Sequence, residues 1–340
     1  MTRIYVATGD ALAVIGRANG GWRARLALVG KHTYCLAADP RRPERVYCGT
    51  FGQGLWRSDD AGATWRPTGP GIASDAVMSV AVGPDGVVWA GTEPSMLYRS
   101  EDGGDTWTAC PALGELPSAP TWSFPPRPWT HHVRWIAPDP TEAGRVFVGI
   151  ELGGVMRSLD GGRTWEDRKP GSQPDAHTLA THPAAPGAVY EAAGGGFAET
   201  RDGGATWRGH DAGLRWRYLW GLAVDPGDPD VLVVSASPGP REAHDERTAR
   251  ADPPPRRRRP VGAGGRRAAR RAGDARLRAG VARGRARRFL RCAARRPRPP
   301  LRRRRPVVGA APDRLAERVR GQGGQRAAGN GGALTRGRRR

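Results

Sequence analysis

The sequence is short of cysteine, of lysine and, over its last hundred residues, of aromatic side chains, and each shortage excludes a class of protein. Its four cysteines, Cys35, Cys48, Cys110 and Cys292, have no C-x-x-C or other metal-ligand spacing and are few for a disulfide framework, so they read as reduced, ordinary residues. No stretch approaches the roughly 18 apolar residues of a membrane span. Met1 to Thr8 enters a strand-like pattern at once, without an apolar leader. These absences predict a cytoplasmic protein with no membrane partner.

Negative charge is scarce only at one end. Residues 1–240 hold 22 basic and 26 acidic side chains, whereas residues 241–340 hold 33 and 7, so the net charge of +22 belongs entirely to the tail. All twelve Trp and all six Tyr precede residue 221, and Lys31 and Lys169 are the two lysines. The tail is Arg, Ala, Gly and Pro with almost nothing from which to build a core.

What is present is a repeat. One octet occurs four times: Ser58-Asp-Asp-Ala-Gly-Ala-Thr-Trp65, Ser100-Glu-Asp-Gly-Gly-Asp-Thr-Trp107, Ser158-Leu-Asp-Gly-Gly-Arg-Thr-Trp165 and Thr200-Arg-Asp-Gly-Gly-Ala-Thr-Trp207. Its tryptophans are 42, 58 and 42 residues apart. Each octet follows a short apolar run, which places it at a hairpin. An Asp carboxylate there can accept backbone N–H groups, Gly can supply φ > 0, and the Trp ring can close over the turn.

The octet resembles the Asp box, or bacterial neuraminidase repeat, Ser-x-Asp-x-Gly-x-Thr-Trp, found in sialidases and sortilin-type proteins. That resemblance implies a β-propeller in which Asp60, Asp102, Asp160 and Asp202, with Trp65, Trp107, Trp165 and Trp207, are structural residues at the blade periphery, remote from any catalytic centre. A second repeated element agrees with it. Apolar strands end in Asp-Pro, Gly-Pro or His-Pro at residues 33–40, 77–84, 133–140, 176–183 and 219–226, and Pro cannot continue a central ladder. Four strands in about 43 residues is the period of a WD40-like blade.

Residues 3–8, 12–17 and 22–28 read as strands two to four of a blade. The fold class expected is therefore all-β: a β-propeller over residues 1–237, about five and a half blades of an intact seven, followed by a disordered Arg-rich tail over 238–340. The tail has two readings. It is either a nucleic-acid-binding arm acting through counterion release or, as the sequence favours, a frameshift product of a GC-rich gene. One base along, the codons for Leu301 to Val308 permit Ser-Ala-Asp-Gly-Gly-Arg-Ser-Trp, a fifth octet.

In a propeller the innermost strands begin, and the second strands end, at one mouth of the central channel. Those positions hold Lys31, His32, Glu93, His131, His132, Arg134, Glu151, Asp175, His177, Arg217, Tyr218 and Trp220. So many ionisable groups at one opening make it a candidate ligand site, and the competing reading is a hydrated channel lining. His131, His132 and His177 with Glu151 are metal ligands by type, but neighbouring strand residues point to opposite faces, and neither a metal site nor a cofactor is expected. Pro111 to Pro128 is an insertion carrying Trp122 and Phe124, with Trp129 just beyond. It is expected to overhang the mouth, either as exposed rings for a sugar or as a loop packed on itself.

The resemblance to sialidases does not extend to their catalytic residues. Arg3-Ile-Tyr5 is not the Phe/Tyr-Arg-Ile-Pro motif, a third channel arginine cannot be placed beside Arg134 and Arg217, and Tyr190 and Glu191 face opposite ways. Glu151 and Tyr218 are the remaining catalytic candidates. The expected function is a non-catalytic propeller binding a glycan or protein ligand at the mouth, with a sialidase-like glycoside hydrolase as the alternative.

Overall fold

The computed structural model describes residues 2–18, 20–126, 130–244 and 250–252. Among them the chain forms six small antiparallel sheets, each laid down in sequence order. The first contains β1 (Arg3–Ala7), β2 (Leu12–Ala18) and β3 (Gly21–Ala27). The second has β4 (Thr33–Ala38), β5 (Val46–Thr50), β6 (Leu55–Ser58) and β7 (Arg66–Thr68), and the third β8 (Val77–Val82), β9 (Val88–Thr92), β10 (Leu97–Ser100) and β11 (Thr108–Ala109). The fourth comprises β12 (Val133–Pro138), β13 (Val146–Ile150) and β14 (Gly154–Ser158), with its outer strand reduced to one bridge between Arg157 and Glu166. The fifth is β15 (Ala176–Thr181), β16 (Val189–Ala193), β17 (Gly196–Thr200) and β18 (Arg208–Gly209). The sixth is β19 (Tyr218–Asp225), β20 (Asp228–Ser237) and β21 (Arg250–Asp252).

From the second sheet onward the first strand of each sheet packs beside the first strand of the next. The second strands, such as Val46–Thr50 and Val146–Ile150, are buried on both faces, which is why they lack polar alternation. After Asp-Pro the chain turns because the Asp carboxylate captures free amides: Asp39 accepts from the N–H of Arg41 at 2.8 Å, and Asp139 from that of Thr141 at 2.8 Å.

The octets are hydrogen-bonded turns of one design. In the third sheet Ser100 Oγ accepts the Gly104 N–H at 2.7 Å and donates to Asp102 Oδ1 at 2.7 Å. Asp102 also accepts the N–H of Thr106 at 2.9 Å and its hydroxyl at 2.6 Å, and Trp107 Nε1 donates to Gly104 O at 3.1 Å. The equivalent donors hold the carboxylates of Asp60, Asp160 and Asp202 down to about 2, led by the bonds from the threonine hydroxyls.

Each turn also latches onto the preceding sheet. An aromatic residue of the second strand, Tyr5, Tyr47, Trp89 or Phe147, lies against the octet glycine of the next sheet, respectively Gly62, Gly104, Gly162 and Gly204. An arginine of the third strand reaches the same turn: Arg99 Nη1 donates to Gly161 O at 3.1 Å, and Arg157 Nη1 to Gly203 O at 2.6 Å. Gly104 sits at φ 91°, which strains any L side chain, and a Cβ there would stand a tight 3.2 Å from the Tyr47 ring. Tyr5 stands to Gly62 as Tyr47 stands to Gly104, so β1 takes the place of a second strand.

Past residue 237 the structure places a short helix, α1 (Pro240–His244), and β21, which pairs with β20 from Val234 to Ala236. The frameshift and nucleic-acid readings of the tail concern residues that, from 253 onward, lie outside those described. No helix among the described residues is long and apolar enough to cross a membrane.

Candidate functional site

The site is built from a defect repeated in every innermost strand. In β4, β8, β12, β15 and β19 the register slips just inside the start of the strand, at Thr33/Cys35, Val77/Ser79, Val133/Trp135, Ala176/Thr178 and Leu219/Leu222. Tyr34, Met78, Arg134 and His177 are the residues left out of the pairing, as are Trp220 and Gly221 in the last strand. A bulge breaks the two-residue alternation and re-aims a side chain. The residue after it pins the distortion to the next sheet: Ser79 Oγ donates to Val133 O and Thr178 Oγ1 to Trp220 O, each at 2.8 Å.

In the last three sheets the bulged side chains Arg134, His177 and Trp220 meet the side chains two positions earlier, His132, Asp175 and Tyr218. Glu93 and Glu151, the first residues after β9 and β13, complete the group. His132 is fully buried between two carboxylates, with Nε2 2.8 Å from Glu151 Oε2 and Nδ1 3.5 Å from Glu93 Oε2. Arg134 Nε lies 3.1 Å from the same Glu151 oxygen without hydrogen-bond alignment, and its guanidinium sits 4.7 Å above the centre of the Trp220 ring. His177, also fully buried, donates from Nδ1 to Leu219 O at 2.6 Å. Its Nε2 faces Asp175 Oδ2 at 3.4 Å and Glu151 Oε1 at 4.0 Å.

Electrostatics follow from this packing. Burial raises the Glu151 carboxyl, but the His132 hydrogen bond and the electrostatic pull of Arg134, with further pulls from the His132 and His177 rings, outweigh it and bring it to about 2. Glu151 is therefore ionised and is no proton donor near neutral pH. The Tyr218 phenol is pushed well above its ordinary range, first by burial and then by the Asp175 and Glu151 carboxylates, against a smaller pull from Arg134. It remains a neutral hydroxyl. Tyr218 and Trp220 are half-buried, near-parallel rings 6.2 Å apart at 23°, both packed on His177.

Several expected members have other partners or face solvent. Lys31 caps the Trp56 ring at 5.1 Å, His32 is exposed with φ 49°, and Arg217, 71% exposed, pairs with Asp211 at 3.4 Å. His131 turns away from His132 to meet the edge of Trp122, where burial lowers its pKa. Of the two readings of the insertion, Trp122 fits the loop packed on itself: it is a buried core residue whose Nε1 donates to Ser118 Oγ at 3.0 Å. Phe124 packs edge-on against His132 at 5.0 Å, and Trp129 lies outside the described residues. Two surface depressions, of about 270 Å³ near Leu55 and about 320 Å³ near Lys169, include no member of the cluster.

Glu191, set aside above because it faces away from Tyr190, is a fully buried carboxyl on β16. It accepts the Gln173 N–H at 3.0 Å, yet burial, with the Asp175 charge, raises it to about 8. No motif marks it. Folding favours its protonated form, so its contribution is complete below the ordinary carboxyl pKa and is lost as pH rises through 8. Chemical denaturation should show Glu191→Gln matching the wild type near pH 5 and exceeding it at pH 8 by on the order of 4 kcal/mol. A constant difference across that range would contradict the assignment.

No protein-family model matches the chain, and no curated protein does. Solved structures do. An ancestral GH74 enzyme aligns with a TM-score of 0.50 at 19% identity over 64% of this chain, and the extracellular domain of a one component system from B. thetaiotaomicron with 0.51 at 14% over 70%. The fold is a β-propeller. A GH74 xyloglucanase from Xanthomonas campestris aligns at 18% identity over 71% of this chain and 45% of its own, with a TM-score of 0.47. The alignments cover 29% and 32% of the first two structures, so this chain spans about a third of their length.

Proposed function

We propose that this propeller binds a neutral carbohydrate at the channel mouth, on the residues presented by β12, β15 and β19. The observation that carries the reading is the near-parallel, half-buried pair Tyr218 and Trp220 beside Arg134 and Asp175. A sugar ring offers apolar C–H faces to such rings and hydroxyl edges to carboxylates and a guanidinium. Glu93, Glu151 and Asp175 outnumber Arg134, which disfavours an acidic sugar of the sialidase class. One of the structural neighbours being a GH74 enzyme accords with a glycan ligand.

A glycan array followed by calorimetry on the best neutral oligosaccharide tests this. Trp220→Ala should weaken binding by about 10-fold or more, equivalent to roughly 1.4 kcal/mol. Binding that ignores Trp220 would remove the site from this mouth. A hydrolytic reading has one observation in its favour: an oxygen of Glu151 and one of Asp175 lie within 4.8 Å, near the roughly 5 Å spacing of retaining glycosidases. Turnover of fluorogenic glycosides, abolished by Glu151→Gln, would support it.

A further inference from the structure

We propose that Glu151, Asp175 and His177 form a binding site for one divalent first-row transition ion of the Zn2+ type at the channel mouth. The inference does not depend on the ligand being a carbohydrate. It begins with the direction of one proton. The Leu219 carbonyl can only accept, so His177 Nδ1 carries the hydrogen of their 2.6 Å bond, and a neutral ring presents a bare lone pair at Nε2.

That lone pair is aimed at two further acceptors. Asp175 Oδ2 stands 3.4 Å away and Glu151 Oε1 4.0 Å, and Nε2 has no hydrogen-bond partner although the imidazole is fully buried. Lone pair facing carboxylate is repulsive in a medium of low dielectric. A cation among the three atoms turns the repulsion into attraction, and a proton on Nε2 is the competing solution.

The geometry suits a metal ion. One ligand atom from each residue lies within 4.8 Å of the others. Ligands at about 2.0–2.2 Å around a tetrahedral ion are about 3.4 Å apart, so the Asp175–His177 edge is already set, and Glu151 must close on His177 by about half an ångström and on Asp175, now within 4.8 Å, by up to about 1.4 Å. The outer contacts are those of a metal centre: a backbone carbonyl fixes the tautomer of His177, while His132 and Arg134 occupy the far oxygen of Glu151 and leave Oε1 for the ion. One imidazole and two carboxylates favour Zn2+, Mn2+ or Co2+ over Mg2+ and leave positions open to water or a bound hydroxyl.

The other histidines considered from the sequence are committed elsewhere, His131 to Trp122 and His132 to the two glutamates. The expectation of no metal concerned His131, His132, His177 and Glu151; the set that the fold brings together replaces the first two with Asp175.

The test uses the full-length chain, stripped with a chelator, dialysed and titrated with Zn2+ by calorimetry, with metal content measured after gel filtration. One equivalent per chain should be retained. Asp175→Asn should weaken it by at least about 10-fold and His177→Ala by about 100-fold. Cys292→Ser should leave it unchanged, and Co2+ in place of Zn2+ should give visible bands without thiolate charge transfer. If His177→Ala fails to fold by circular dichroism, Asp175→Asn decides, since that side chain is partly exposed. Folded wild type that retains no metal, or affinity unchanged in Asp175→Asn, overturns the proposal in favour of a protonated His177. Oligosaccharide titrations in chelator keep the two readings apart: sugar binding without metal retention removes only the ion, and metal retention without sugar binding removes only the carbohydrate.

Discussion

Glu151→Ala is expected to destabilise the propeller by about 3–5 kcal/mol, the cost of leaving a buried charge without its partner. The side chains concerned are enclosed: Arg134 is 3% exposed and His132 0%, and both lie against Glu151 Oε2. Arg134 cannot shed its proton when the carboxylate is removed. Thermal or urea unfolding monitored by tryptophan fluorescence reads the effect, with a fall in melting temperature on the order of 10 °C for a domain of this size. Glu151→Ala combined with Arg134→Met removes both charges and should recover at least half of the loss. A loss within about 1 kcal/mol for the single variant would mean that the guanidinium reaches water, and the buried cluster would be wrong as described.

Phe147→Ala is expected to cost a comparable amount, about 3–5 kcal/mol, by a different route. The ring is fully buried in the cluster formed with Val155, Leu179, Val189 and Trp207, and it lies against the octet turn at Gly204. Truncation would open a cavity between two sheets and loosen the latch that holds one to the next. The loss should therefore appear as lowered cooperativity as well as lowered stability, with faster amide exchange in β15–β17 than in β4–β6. Phe147→Leu, which fills most of the space, should recover most of the stability. Uniform acceleration of exchange across all six sheets would contradict the latch as the local link.

The propeller was legible because its design repeats: the octets fix where the hairpins fall, and Asp-Pro fixes where the inner strands stop. The mouth was legible only in part. Reading strand starts and ends picked out Glu93, His132, Arg134, Glu151, Asp175, His177, Tyr218 and Trp220, but also Lys31, His32 and Arg217, which have other partners or face solvent. Strict alternation cannot sort these residues, because a bulge puts Arg134 and His177 out of phase with their own strands. The spacing of two between His132 and Arg134, Asp175 and His177, and Tyr218 and Trp220 was the available signal. The burial of Trp122 and Glu191 was left open for another reason: it depends on how an insertion and a sheet pack in three dimensions, which no local pattern encodes.

The central claim is that ligand binds at the mouth framed by β12, β15 and β19. Hydrogen–deuterium exchange of the full-length protein, with and without its best-binding oligosaccharide, tests this most directly. Protection is expected over residues 130–136, 150–153, 174–178 and 217–222, with little change at the octets or in β3 and β7. Protection confined to those outer turns and strands, with the mouth unaffected, would contradict the account.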